Sequence, residues 1–184
     1  MNKFLSQIFL RIMGWRLVGD IPKDVNKAVL VCAPHTSNWD FPLALASFKI
    51  RGLKLNYFIK KSWFFFPLNF FFSATGGIPV DRSKPAGLVV EMISKMNQRN
   101  QMILAIPAEG TRAWVSVWKK GFYLIAKGAN VPLIMGFVDF KRKEVGFGPI
   151  YYLTGDFEID MNKIQSFFKE KSPCYPEQYN PKIF

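Results

Sequence analysis

The amino-acid sequence predicts an α/β fold: a single domain with a mixed, mostly parallel sheet flanked by helices, and an amphipathic helix at its N-terminus. Three observations lead to this prediction. Apolar runs of strand length alternate with helical patterns along the 184 residues, which is typical of crossover connections between parallel strands. The apolar content of 49% is sufficient for a packed core. No repeat, low-complexity stretch or change of composition marks a second domain.

The first predicted element is an amphipathic helix over residues 1–14. Apolar side chains recur three and four positions apart from Phe4 to Met13, with polar residues such as Lys3 and Arg11 between them. The segment has no small-residue cleavage site and does not make a secretory signal. We expect this helix either to pack on the core or to lie in a membrane interface as an anchor.

The remaining elements follow from local patterns. Short apolar runs predict strands, Pro42 suits the first turn of a helix because its missing N–H is not needed there, and Gly128 is a typical helix end. The expected elements are strands over Ala28–Ala33, Leu55–Lys60, Gly77–Val80, Met102–Ile106 and Val131–Phe140, one or two strands over Glu144–Tyr152, helices over Asp40–Ile50, Pro85–Asn100, Lys120–Lys127 and Met161–Lys171, and an extended surface tail over residues 172–184.

The longest uncharged run extends from Ser62 to Val80. It contains Pro67 and the pair Gly76-Gly77, and these breakers argue against a membrane-spanning helix, which needs about 20 predominantly apolar residues. Within the run, residues 63–72 (WFFFPLNFFF) include six phenylalanines. Such a segment is either buried in the core or presents a face to a membrane or an acyl chain, and we favour the second interpretation.

The charge of the chain indicates its partners. The sequence has 25 Lys and Arg against 13 Asp and Glu, a net charge of +12. Residues 1–61 hold ten basic and three acidic residues, and each basic residue near lipid headgroups contributes about 1 kcal/mol to binding an anionic membrane. A nucleic-acid binder would interleave aromatic and basic residues along a stripe, whereas here the aromatics concentrate in residues 63–72. We therefore expect a membrane lipid surface, and no nucleic acid, as partner.

The inventory of reactive side chains is small. Two cysteines, Cys32 and Cys174, are too few for a disulfide scaffold, and the sequence has no His/Cys cluster with metal-ligand spacing. This cysteine usage predicts a reduced, intracellular chain. His35 is the only histidine, so any mechanism that needs an imidazole depends on this residue.

Sites in parallel sheets form beyond the carboxyl ends of the strands, and three polar segments follow predicted strands. The first, residues 34–40 (PHTSNWD), places His35 five residues before Asp40. On a straight helix the two would be roughly 140° apart and could not meet, but they can meet if His35 lies in the turn and Asp40 opens the helix. Asp40 would then accept from one ring nitrogen and leave the other as a general base. The alternative is that Asp40 or Asn38 is a plain N-cap.

The second segment, residues 76–82 (GGIPVDR), ends in Arg82. A guanidinium at the end of a strand can bind an anionic headgroup with two hydrogen bonds. The alternative is an exposed surface arginine paired with Asp81.

The third segment, residues 106–112 (IPAEGTR), combines donors and charge. Gly110 lets backbone amides approach an anion, Thr111 adds a hydroxyl donor and Arg112 supplies charge. Glu109 cannot bind an anion directly, so we expect it to orient an arginine or a hydroxyl. The alternative is a tight turn with solvated charges.

Together these segments resemble the glycerophospholipid acyltransferase family, which includes the 1-acylglycerol-3-phosphate (lysophosphatidic acid) acyltransferases. In the family's order, this sequence has an HxxxxD block from His35 to Asp40, a Gly-led strand ending in Arg from Gly77 to Arg82, an EGTR block from Glu109 to Arg112, and a Val-Pro strand from Val131 to Ile134. Trp118-Lys119-Lys120-Gly121 is similar to the family's Lys-Gly segment. The sequence departs from the pattern in having Ala108 inserted before Glu109 and Ala113 in place of a Ser.

The resemblance implies a single acyltransferase domain over residues 1–184 that transfers a fatty acyl group from acyl-CoA or acyl carrier protein to the hydroxyl of a lysolipid. It implies 1-acylglycerol-3-phosphate as acceptor, giving phosphatidic acid, with the thioester as co-substrate and no metal or bound cofactor. His35 and Asp40 would be catalytic. The residues implied to bind the acceptor are Arg82, Glu109, Gly110, Thr111, Arg112 and Lys120, with Lys119 assisting.

This expectation has two alternatives and one consequence. A lyso-amino-acid lipid is the alternative acceptor, because carboxylate and phosphate both suit a guanidinium. A lipid-binding protein without catalysis is the non-enzymatic alternative, although it would leave the His-Asp pair without a role. The expected location is the cytoplasmic face of a membrane, with peripheral or monotopic attachment.

Overall fold

A computed structural model describes residues 2–81 and 85–184. The strands within these residues are β1 (Arg16–Val18), β2 (Lys27–Cys32), β3 (Leu55–Lys60), β4 (Gly77–Val80), β5 (Met102–Pro107), β6 (Leu133–Asp139) and β7 (Glu144–Tyr151). They form one sheet in the order β1-β7-β6-β2-β5-β3-β4. All neighbouring pairs are parallel except β6 and β7, which are antiparallel. The predicted single α/β domain with a mostly parallel sheet is confirmed.

Helices cover both faces of the sheet. They are α1 (Lys3–Ile12), α2 (Asp40–Arg51), α3 (Leu68–Thr75), α4 (Pro85–Gln98), α5 (Gly121–Ala129) and α6 (Phe157–Phe168). Phe48 of α2 packs with Leu30 and Ala105 on one face. Helices α4, α5 and α6 pack on the other face, where their side chains join Val31 and Leu104. This division follows from right-handed crossovers, because the chain moves one way along the sheet from β2 to β4 and the opposite way from β4 to β6.

Helices α1 and α3 lie on the same face as α2. Leu10 of α1 packs with Leu43 of α2 in a buried cluster. Helix α3 is held by Thr75, whose Oγ1 lies 2.7 Å from the hydroxyl of Tyr57, and the Tyr57 ring in turn makes an edge contact with Phe41 of α2. Asn2 caps α1, with its Oδ1 accepting from the amide of Leu5 at 2.9 Å. The predicted N-terminal helix is therefore present, with one side packed against the domain.

Several predicted helix boundaries differ from the structure, and two of the differences have a clear physical cause. Helix α5 does not end at Gly128 but continues to Ala129, and Asn130 terminates it in the left-handed conformation. Gly128 is instead a packing position, because a Cβ there would lie 2.4 Å from Cδ1 of Ile93 on α4. Helix α6 begins at Phe157 rather than Met161, since the Asp156 carboxylate caps it by accepting from two backbone amides.

The C-terminal tail is not extended on the surface as predicted. Residues Pro176–Gln178 form a short 3-10 turn, and the side chains of Tyr179 and Ile183 join the core on the α6 side of the sheet. Trp118 donates its backbone N–H to the carbonyl of Ile183 at 3.1 Å. Burial of these two apolar side chains draws the tail across the domain.

The sheet differs from the prediction at one edge. Strand β1 was not predicted, because its three residues are too few to show an alternating pattern. Residues 144–152, expected to form one or two strands, form the single strand β7. Strands β1 and β7 pair in parallel, so the three-residue strand β1 forms this edge of the sheet.

Candidate active site

His35 and Asp40 meet at the carboxyl end of β2. Asp40 is the first residue of α2 and His35 lies in the loop before it, the arrangement that their spacing requires. Nδ1 of His35 is 3.0 Å from Oδ2 of Asp40, and the same carboxylate oxygen accepts from the amide of Ser37 at 3.0 Å. Asp40 is buried, whereas the His35 side chain is 24% exposed. The geometry therefore engages Nδ1 with Asp40, and Nε2 is the ring nitrogen that could accept a proton.

Glu109 contacts the backbone of His35. It is 1% exposed, and its Oε1 and Oε2 accept from the His35 amide at 3.1 and 3.3 Å. Burial raises the pKa of Glu109 to about 7, with the charge of Asp40 adding to the rise and the hydrogen bond from His35 opposing it. The sequence predicted that Glu109 orients an arginine or a hydroxyl; the structure instead assigns it to the loop that carries the histidine.

The residue inserted before Glu109 is part of the same framework. Ala108 is fully buried and donates its N–H to the carbonyl of Cys32 at 3.2 Å, while its own carbonyl accepts from the amide of Lys119 at 2.9 Å. The insertion therefore ties the end of β5 both to the end of β2 and to the segment before α5.

The residues after Glu109 surround an open rim. Gly110 has a φ of +71°, and a Cβ there would lie 2.7 Å from Cδ of Lys119, so the glycine permits the lysine stem to cross it. Arg112 is exposed and donates from Nη1 to Oδ1 of Asn38. Thr111 Oγ1 accepts from the amide of Ala113 at 3.3 Å. Lys120 lies over the ring of Phe157, 4.6 Å from its centroid.

The C-terminal tail braces both loops of the site. Tyr175 donates its backbone N–H to Oγ1 of Thr36 at 3.2 Å. The Gln178 amide, oriented so that its nitrogen donates, reaches the carbonyls of Arg112 at 2.6 Å and Thr36 at 3.2 Å. Sequence analysis did not identify these residues, and their local pattern carries no signal for a contact so distant in the chain.

A large apolar cavity opens beside His35. Its volume is about 1180 Å³, above the range of about 300–1,000 Å³ typical of small-molecule sites. It extends along α2, where it is lined by Phe41, Ala44, Ser47 and Phe48, and also reaches residues of α4 and α5. Gly110, Thr111, Arg112, Lys119 and Lys120 line it near the rim. The cavity therefore joins the polar loops to a long apolar interior.

Cys32 also lines this cavity. Burial raises the pKa of its thiol to about 12. A thiol with such a pKa is protonated at neutral pH and does not act as a nucleophile.

The sequence predicted that Arg82 binds the acceptor and that no helix spans a membrane. Arg82 lies outside the described residues, although β4 ends just before it, at the same edge of the sheet as His35 and Arg112. The longest helix in the described part of the chain has 14 residues, and no helix there is long and apolar enough to cross a bilayer.

Comparisons with known proteins identify the family. A family model described as Acyltransferase matches residues 17–135, whereas a search of curated proteins finds no match. The fold is similar to the crystal structure of the 1-acyl-sn-glycerophosphate (LPA) acyltransferase PlsC from Thermotoga maritima, with a TM-score of 0.63, 18% sequence identity, and coverage of 90% of this chain and 74% of that chain. The family match spans more than half of the sequence and confirms the prediction of an O-acyltransferase: the chain belongs to the acyltransferase family.

Proposed function

We propose that this enzyme transfers a fatty acyl group from an acyl thioester to the hydroxyl of a lysolipid, with 1-acylglycerol-3-phosphate as the preferred acceptor and phosphatidic acid as the product. The observation that carries the proposal is the His35–Asp40 pair, joined at 3.0 Å, at the opening of a cavity of about 1180 Å³. A base beside a large apolar space suits a reaction between a hydroxyl and a long acyl chain.

His35 acts as the general base. Asp40 accepts from Nδ1–H and so holds the tautomer in which Nε2 carries a lone pair. Nε2 removes the proton of the acceptor hydroxyl as its oxygen attacks the thioester carbonyl, and the new C–O bond forms. The tetrahedral intermediate then expels the thiolate, which takes the proton from the imidazolium to leave as a free thiol. Asp40 stabilises the imidazolium between these steps.

The acceptor headgroup binds at the polar rim. Arg112 is exposed there and its guanidinium is oriented by Asn38, while Lys119 lies across Gly110. Two cations near one opening favour a phosphate monoester. Arg82 is proposed to complete this group, since in the sequence it follows β4, which ends at the same edge of the sheet. Thr111 and Lys120 line the cavity nearby and supply further donors.

The acyl chain lies in the apolar part of the cavity. Phe41, Ala44 and Phe48 are spaced along one side of α2 and all line this space. Their spacing of three to four residues places them on one helical face, so they form a continuous wall that begins beside Asp40 and runs away from the polar rim. A chain that extends along this wall keeps its carboxyl end at His35.

We propose that the acyl donor is acyl-CoA or acyl carrier protein. We also propose that the enzyme attaches to the cytoplasmic face of a membrane without a spanning segment. On α1, the side chains of Phe4, Leu5 and Ile12 are 66%, 51% and 78% exposed. Lys3 and Arg11 flank them. An amphipathic helix with apolar side chains and adjacent cations is typical of an interfacial anchor.

Acyl transfer by the purified enzyme tests the proposal. Labelled acyl-CoA is offered with lysophosphatidic acid or with lyso-amino-acid lipids, and wild type is compared with His35→Ala and with the exposed control Lys163→Ala. We expect lysophosphatidic acid to be acylated by the wild type and the control, and turnover by His35→Ala to fall at least about 100-fold, the lower end for loss of a general base. Activity of His35→Ala within a few-fold of wild type would refute the assignment of the base.

The same panel decides the acceptor. Transfer only to a lyso-amino-acid lipid would retain His35 as the base while assigning Arg112 to a carboxylate rather than a phosphate. If acyl-CoA gives no transfer, labelled acyl carrier protein replaces it, and transfer from this donor would identify it and leave the acceptor proposal intact.

A further inference from the structure

Residues 63–72, which we call the aromatic segment, expose an unusual amount of aromatic surface. Five large side chains within it are at least half exposed: Trp63 54%, Phe65 55%, Phe66 77%, Phe70 66% and Phe71 50%. Scattered exposed apolar side chains are normal on soluble proteins, but a contiguous group of this kind marks a surface that meets a partner or a membrane. The sequence favoured a contact surface over burial in the core, and the exposure of these side chains supports contact.

The segment has a defined local structure. It begins at the last residue of a 3-10 turn (Lys61–Trp63), continues through residues 64–67 and ends within α3, which begins at Leu68. Phe72, the last residue of the segment, is buried and stacks on Phe64 with ring centroids 6.1 Å apart. Phe66 and Phe70 contact each other edge to face at 6.0 Å. These contacts hold the exposed rings in place.

The segment contributes two side chains to the lining of the cavity that contains His35. Lys60, Trp63 and Phe72 line that cavity together with His35. Because Trp63 is 54% exposed and also lines the cavity, a surface in contact with the segment would lie next to the cavity. A lipid that leaves a bilayer at this point would have its acyl chains next to an apolar lining.

The charge around the segment suits an anionic lipid surface. No charged residue occurs from Ser62 to Val80, while Lys60 and Lys61 precede this run and are exposed. Aromatic side chains, Trp above all, are favoured at the level of the headgroups, and cations beside them are attracted to anionic lipid.

Helix α1 offers a second apolar surface on the same face of the sheet. Both α1 and α3 lie on the α2 side, α1 through Leu10 and α3 through Thr75. Helices α4 and α6, on the other face, carry isolated exposed apolar residues such as Val90 and Ile159. The exposed apolar side chains of α1 and of the aromatic segment therefore lie on the same face of the sheet, while the other face carries further ones, such as Leu124 of α5 at 48%.

We propose that the aromatic segment docks the enzyme onto an anionic lipid bilayer by inserting its exposed rings among the headgroups, so that the cavity opens directly against the lipid. This inference rests on the proposed function in one respect, namely that the substrates are lipids. It adds the surface that delivers them, and makes the segment, in addition to α1, a determinant of membrane binding.

Sedimentation with vesicles tests the inference without turnover. Vesicles of phosphatidylglycerol and phosphatidylcholine are mixed with wild type, with Phe66→Ser/Phe70→Ser, or with Val90→Ser/Ile159→Ser as the matched control on the opposite face. Val90 and Ile159 are 68% and 57% exposed, close to the values for Phe66 and Phe70. We expect the aromatic double variant to lose at least tenfold in partition coefficient, about 1.4 kcal/mol, and the control to remain within twofold. Circular dichroism verifies that both variants are folded.

Further measurements distinguish the outcomes. Lys61→Gln should weaken binding to vesicles that contain phosphatidylglycerol and leave binding to pure phosphatidylcholine unchanged. With a short-chain acceptor dissolved as monomers, the aromatic double variant should keep turnover within twofold of wild type, because Phe66 and Phe70 do not line the cavity. If the wild type acylates lipids but the aromatic double variant binds vesicles as well as the wild type does, docking by the segment is refuted and the proposed function stands.

Two other results are decisive. Vesicle binding that depends on the segment, in a protein without acyl transfer to any lysolipid, would refute the proposed function while docking stands. A dimer that forms without lipid and is lost in Phe66→Ser/Phe70→Ser, measured by analytical ultracentrifugation, would show that a second copy of the chain covers the segment, and would overturn the lipid assignment.

Discussion

Replacing Glu109 with Gln removes a buried carboxyl group from the framework of the site and keeps most of its shape. The Glu109 side chain is 1% exposed, and burial raises its pKa to about 7 from an ordinary value of 4.5. Gln retains an oxygen that can accept from the His35 amide, which lies 3.1 Å from the nearer carboxylate oxygen. The substitution therefore deletes a titration while preserving the hydrogen bond.

The expected effect on stability depends on pH. Between pH 4.5 and about 7 the folded chain keeps a proton on Glu109 that the unfolded chain has released. The free energy of unfolding therefore falls as the pH rises through this window, by about 1.4 kcal/mol per pH unit and by about 3 kcal/mol in total. The stability associated with this carboxyl is fully present below pH 4.5 and is lost above 7. Glu109→Gln has no such titration.

Urea unfolding of wild type and Glu109→Gln at pH 4.5 and pH 8 measures this difference, with the exposed Glu170→Gln as control. Other titrating groups are shared by the three proteins, so they cancel in the comparison. We expect Glu109→Gln to gain about 3 kcal/mol relative to wild type between the two pH values, and Glu170→Gln to gain none. A difference that is equal at both pH values would show that Glu109 is not a desolvated carboxyl.

Activity distinguishes the hydrogen bond from the charge. Glu109→Gln should keep kcat within tenfold of wild type, because its amide oxygen still positions the loop of His35. Glu109→Ala leaves a buried N–H without an acceptor, at a cost of about 1–3 kcal/mol, and should lose more activity. Equal losses in both variants would mean that the negative charge, rather than the hydrogen bond, is required.

Three further substitutions probe other parts of the structure. Asp40→Asn should lower kcat by a factor on the order of 10³ to 10⁴ by releasing the His35 tautomer, with little change in the melting temperature; kcat within tenfold of wild type would contradict the role of Asp40. Ala44→Phe should shorten the cavity along α2 and reduce kcat/KM for hexadecanoyl more than for octanoyl thioesters, whereas an equal reduction would place the chain elsewhere. Ile183→Ala should destabilise the fold by about 2–5 kcal/mol in urea unfolding, and the exposed Lys182→Ala should not.

Much of the fold could be predicted because local patterns and tertiary packing agree there. The strands over Leu55–Lys60 and Gly77–Val80 have the predicted bounds, since short apolar runs are bounded by polar or breaking residues. The pairing of His35 with Asp40 could also be predicted, because both residues belong to one loop and one helix start. Because the two residues are only five positions apart, their side chains can take few relative positions.

The parts that could not be predicted depend on contacts between distant residues. Gly128 suggested the end of a helix, but its lack of a side chain serves the packing of Ile93 from another helix. The Pro-containing tail suggested an extended segment on the surface, yet Tyr179 and Ile183 fill space in the core. Neither local pattern contains information about the neighbour that determines the outcome.

Glu109 could be predicted in one respect and not in another. Its position after a strand indicated a site residue, but its partner could not be derived from its own segment. The carboxylate is bound to the amide of His35, and the His35 ring is bound to Asp40, so the EGTR and HxxxxD blocks form one hydrogen-bonded unit. A carboxylate at the headgroup rim would repel the phosphate that Arg112 is proposed to bind. Turned inward, the same carboxylate holds the loop of His35, the proposed base, and its raised pKa is the consequence of that burial.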